Sequence, residues 1–210
     1  MKNRMDGFFK VLFYGAIWGI LEATLGYLLH FMPGFIAGSV MFPLVLFLLY
    51  RAYQSLGSKR AILYVAFVAM AIKSTNLMLP YLTPAKTINP IVAMFFEASL
   101  VFLVVPMLDN QSIQKNVSAI IIASFAWRLC YVSYQGINYL VSGYLSSYLE
   151  SLSKAIEFIG FYGFIGIVIS LLILFVSNRL VVNDKWKNIR VSPLITLELV
   201  MVAILLTMSL

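Results

Sequence analysis

Four ionisable side chains interrupt long apolar runs: Glu22 in YGAIWGILEATLGYLLH, Lys73 in AIKSTNLMLP, Glu97 in INPIVAMFFEASL and Arg128 in SFAWRLCYVSYQ. Each costs about 2.5–3.5 kcal/mol at the centre of a spanning helix, so such groups pair with one another or line a cavity. Two are acidic and two basic, so a layer holding all four is neutral. Such a layer can grip the polar groups of a small metabolite, with Arg128 suited to a carboxylate or phosphate. Neutral hydrogen-bonding residues accompany them at helical spacing. Asn76 follows Lys73 by three positions, and Gln135 follows Arg128 by seven, on a face shared with Ser124 and Tyr131. The bland alternative is a set of structural ion pairs, Glu22–Lys73 with Glu97–Arg128 or the crossed pairing. A buried pair often gains little over apolar packing, which favours the binding role.

These residues need an element that holds charge inside lipid. The chain has 210 residues, 62% hydrophobic and 11% charged, with a mean hydropathy of +0.95. Soluble domains carry about 25% charged residues. The expected fold is therefore an all-α polytopic membrane bundle of six to seven helices, a single transmembrane domain over 1–210. Segments near 8–31, 35–50, 61–82, 88–107, 117–141, 155–177 and 192–210 qualify as spans. The second is short and contains Pro43, which suggests a broken or tilted helix. The start, MKNRMDGFFK, leads into too long an apolar run for a signal peptide. The lone Cys130 allows no internal disulfide.

The basic residues orient the bundle. Lys2, Arg4, Lys10, Arg51, Lys59, Arg60, Lys115, Arg179, Lys185, Lys187 and Arg190 fall on one side of the drawn spans, whereas only Lys86 and Lys154 fall on the other. Basic loops favour the cytoplasm, so the N-terminus is expected inside. The net charge of +7 then records topology, and no nucleic-acid partner is expected. Counted from the outer ends, the four ionisable residues lie roughly 13 to 20 Å deep, so one layer can hold them. Glu157 falls near the interface. The depth of Glu198 is open.

At 100° per residue, Glu22, Gly15, Gly19, Gly26 and His30 share a stripe about 80° wide. Gly15, Gly19 and Ala23 form a small-xxx-small series that admits a close helix. That series serves packing inside the bundle or against a separate partner. Two outer loops have character. LTPAKTINP reads as a stiff cap, and SGYLSSYLESLSKAIEF as either an amphipathic interfacial helix or a solvated connector.

No HExxH, GxSxG or Walker A motif is present, and a single histidine is a poor metal signal. No enzymatic activity and no metal are expected, although a lipid-active enzyme using Glu22 and His30 ranks third. A structural or regulatory membrane subunit ranks second. The first reading is a subunit that captures a solute from outside. Here GAIWGILEA on the first helix, LHFMPGFIAGSVMFP after it, and INPIVAMFFEASLVF entering a central helix matter. With these motifs the chain resembles the substrate-binding S components of energy-coupling factor (ECF) transporters. The resemblance covers spans one to four. It implies that Gly15, Gly19 and Ala23 pack against a transmembrane coupling protein. It also implies that two partner ATPases use ATP while this chain holds no cofactor, and that the site is a prokaryotic cytoplasmic membrane. Members typically have six helices, whereas seven segments are drawn here.

Overall fold

The computed structural model describes residues 2–29, 31, 34–108, 112–180 and 191–209. His30, Lys185, Lys187 and Arg190 lie outside the described residues. Among the described residues the fold is all helical, with no strand. Helix α1 is Lys2–Leu21, continued by a π-helical turn, Glu22–Gly26, and by Tyr27–Leu29. Helix α2 is Gly34–Leu56. Helix α3 is Arg60–Ser74, tightening into a 3₁₀ turn, Thr75–Met78. Helices α4 and α5 are Ala85–Leu108 and Ile113–Ser142. A short helix, Leu152–Ile156, and a second π turn, Glu157–Phe161, lead into α6, Tyr162–Leu180. Helix α7 is Pro193–Ser209.

Six helical stretches among the described residues are long and apolar enough to cross a membrane: Met5–Leu29, Ile36–Leu56, Arg60–Met78, Ala85–Leu108, Ile113–Ser142 and Leu152–Ser177. The protein is therefore an integral, multi-pass membrane protein. The seventh segment forms a shorter apolar helix, at 17 residues.

The segment that looked weakest, α2, is the central one. It packs against α1, α3, α4 and α6. Phe42, Leu46, Leu49 and Ala52 point inward at helical spacing and are fully buried. Pro43 does not break it. Pro43 supplies no helical N–H, but packing on four sides holds the turn. The helix also runs past the expected end at residue 50. Arg51 is thus helical, donating to Gln54 Oε1 at 2.9 Å and to Ser177 Oγ at 2.6 Å, which ties α2 to α6.

Three loop expectations change. LTPAKTINP is not all loop, because α4 starts at Ala85 and absorbs Pro90. Arg51 leaves the loop it was assigned to. In SGYLSSYLESLSKAIEF, no helix forms over 143–151. Gly143 ends α5 with φ of 70°, its N–H bonded to Tyr139 O. A left-handed C-terminal glycine is a strong stop. Ser151 then starts the next helix, its hydroxyl accepting from the Lys154 N–H. The stretch is a connector whose Tyr148 folds back onto Phe158.

Helix α7 packs along α1 and also touches α3. Its Thr196, Ala203 and Thr207 are buried in one stripe. The small-residue series of α1 is what they and α3 pack on. A Cβ at Gly15 would lie 2.5 Å from Val68 Cγ1, and one at Gly19 would lie 3.1 Å from Ile72 Cγ2 and 3.5 Å from Ala203 Cβ. Ala23 is buried as well.

Candidate functional site

Glu22 opens the π turn of the first span. The Thr24 hydroxyl donates to Ile20 O at 2.7 Å, the carbonyl a regular turn reserves for the Thr24 N–H. Such back-bonding loosens a helix, and π turns recur at functional positions. The carboxylate lies over Gly26, where a Cβ would stand 3.5 Å from its Cδ and Oε1. Lys73 sits in the last turn of α3, where a cation meets the negative end of the helix. Ser74 and Thr75 turn their hydroxyls back to Ala71 O and Ile72 O, each at 2.7 Å. This accompanies the tightening that buries Asn76.

Electrostatically the four ionisable residues form a chain. Glu22 feels Lys73, Glu97 feels both Glu22 and Arg128, and Arg128 feels Glu97 and Tyr148. Four helices supply them, as the sequence suggested. Neither expected set of direct pairs forms, however. Among the described residues, the contact that meets the distance of an ion pair is Lys154–Glu150, in the connector. The membrane charges interact across gaps.

Arg128 is the most completely built of the four. It is fully buried. Its Nη1 donates to Ser124 O at 2.9 Å and to Ser124 Oγ at 3.2 Å. Its Nη2 donates to Ser39 Oγ at 3.3 Å and to Tyr162 O at 3.2 Å. The guanidinium also lies 4.6 Å from the centre of the Trp127 ring and 5.6 Å from that of Phe158. Gly166 makes the space, since a Cβ there would come within 3.3 Å of Nη2. Only Nε lacks an acceptor in this nest. Arg128 thus clamps α2, α5 and α6 together.

Gln135 lies one layer further out, donating to the Tyr131 hydroxyl at 2.8 Å while its own Oε1 has no donor. The Tyr131 ring touches Trp127, Tyr134, Tyr148 and Phe158. An aromatic wall therefore connects Gln135 to the Arg128 nest. Asn76 is buried with Oδ1 unsatisfied, and its 3₁₀ turn packs on α7. Asn89 is held by the Tyr134 hydroxyl at 3.0 Å. Glu97 is buried. Glu157 and Glu198 are exposed.

Sequence reasoning missed Ser39, Trp127 and Phe158. The signal for Ser39 was the adjacent Gly38, where a Cβ would meet Trp127 Cη2 at 2.8 Å. Buried polar atoms without partners are rare in folded proteins. Here Asn76 Oδ1, Thr87 Oγ1, Gln135 Oε1 and Ser146 Oγ are four of them, all toward the end of the bundle opposite the basic loops. Compared with protein-family models, with curated proteins and with solved structures, the chain shows no match.

Proposed function

We propose that the chain is a substrate-binding subunit of a membrane uptake system, of the ECF S-component kind, that takes a small polar metabolite from the outer side. The observation that carries this is the chain of charges from four helices that influence one another without closing into ion pairs. Groups held apart in a low-dielectric layer can each gain by gripping a solute that carries complementary groups. Glu22, Lys73 and Glu97 would bind it, with Asn76 and Gln135 as hydrogen-bonding neighbours. Arg128 would act through its field and its free Nε. Transport energy would come from a coupling protein and two ATPases, and the membrane would be a prokaryotic cytoplasmic one. No bond-making chemistry is assigned to this chain.

Native mass spectrometry of the gently purified protein tests the reading. The expected result is a retained metabolite, lost in Glu97→Gln and in Lys73→Met, together with co-purifying ATPases. A chain carrying no small molecule, with neither variant differing from the wild type in solute-dependent melting, would refute it.

A second reading has one observation in its favour. The four hydrogen bonds of Arg128 go to protein groups, as a purely structural or regulatory subunit would have them. Under that reading Arg128→Ala unfolds the bundle, and no solute shifts the melting of any variant.

A further inference from the structure

At the basic end of the bundle, α1 and α3 part to leave a groove of about 420 Å³. Its walls are almost wholly apolar, from Gly7 and Val11 on one side and Leu56, Tyr64, Phe67 and Val68 on the other. From Ala61 to Val68 it follows roughly 10 Å of helix. The floor at Gly7 has room to spare, because a Cβ there would meet only Leu56, at 3.8 Å. The rim residues Phe8, Tyr64 and Phe67 are 60%, 58% and 69% exposed, so the slot opens sideways into the lipid.

The mouth is basic. Ser58 lines it, and the exposed Arg60 follows at the start of α3. Lys59 lies beside it over the Phe102 ring, at 4.9 Å. Lys10 donates to Ser55 O at 3.3 Å. Asp6 is the acidic neighbour on α1 and is exposed. Positive charge thus prevails where the apolar slot reaches the headgroup level. On the distribution of basic loops this is the cytoplasmic leaflet, whose anionic lipids attract such clusters. A guanidinium also pairs more strongly with the phosphate of an anionic headgroup than with that of a zwitterionic one, whose own cation competes.

We infer that this groove holds one anionic phospholipid, an acyl chain lying against Gly7 and Val68 and the phosphate at Arg60 and Ser58. The site is independent of the solute layer, which lies deeper and on other faces. The test uses the full chain in a mild non-ionic detergent, titrated with phosphatidylglycerol or phosphatidylcholine of matched chains and read by native mass spectrometry. One phosphatidylglycerol should bind about fivefold or more tighter than phosphatidylcholine. Arg60→Gln should bring the two toward parity. Gly7→Leu, which fills the floor, should weaken both. Arg60 is on the surface, so its variant keeps the test decisive if Gly7→Leu fails to fold. Equal binding of the two lipids by the wild type overturns the inference. So does a headgroup preference unchanged in Arg60→Gln, or a dimer that Gly7→Leu disrupts.

Discussion

Arg128 Nη2 lies 3.3 Å from Ser39 Oγ, and the same hydroxyl donates to Tyr162 O at 2.8 Å. One serine on α2 therefore joins the guanidinium of α5 to the backbone at the start of α6. The three helices meet where a buried cation is satisfied by oxygen dipoles rather than by a carboxylate. Hydrogen bonds to a charged group contribute about 1.5–3 kcal/mol each. Arg128→Lys keeps the charge but cannot span Ser124, Ser39 and Tyr162 together. It should lower stability by about 2–4 kcal/mol, read as a lower melting temperature in detergent with helical content intact below the transition.

Two glycines of the α6 region make an internal control. A Cβ at Gly166 would press on Arg128 Nη2 and Ser124 Oγ, at 3.3 and 3.4 Å, whereas one at Gly160 meets nothing within 4 Å. Gly166→Ala should cost about 1–3 kcal/mol by overpacking. Gly160→Ala should be neutral or stabilising by up to about 1 kcal/mol. Thermal unfolding of the two variants side by side checks the contrast.

The α1–α3 contact is tighter still. Gly15→Val would put Cβ 2.5 Å from Val68 Cγ1, with Val65 O a further 3.2 Å neighbour. A backbone oxygen cannot step aside as a side-chain tip can. Loss of about 2–3 kcal/mol is expected. The double variant Gly15→Val with Val68→Ala should recover part of it, measured as a coupling in a double-mutant cycle.

Tyr148 lies in the connector outside the spans. Burial pushes its phenol above the ordinary value of 10.0, against the opposing pull of Arg128. The folded state thus holds the proton more tightly than the unfolded one. Its contribution is complete below pH 10 and is lost as pH rises from there through the raised folded value. Tyr148→Phe should flatten that part of the alkaline stability profile, followed by melting temperature against pH.

Much of the fold was legible because lipid leaves so few choices. Backbone groups in hydrocarbon must pair within helices, so apolar length alone located the spans. The helix ends were less legible, since Arg51 and Pro90 look like loop residues and tertiary packing overrides that preference. That Glu22, Lys73, Glu97 and Arg128 come from four different membrane helices was legible, and each is costly in lipid. The nest around Arg128 was not. Ser39 and the Tyr162 carbonyl carry no signature in sequence, and a backbone carbonyl is common to every residue. The role of Gly15 and Gly19 stayed open for a similar reason, as small-residue spacing says that something approaches closely but not what does.

Gly19 on the first helix lies against Ala203 on the last, a contact that spans nearly the whole chain. During synthesis α1 emerges long before its neighbour exists, so for most of translation one of its flanks is bare. Closure of this contact should therefore wait for α7. A ribosome stalled before α7 would leave an inserted chain whose α1 is uncovered on that side, and quality-control proteases would meet that exposed flank first.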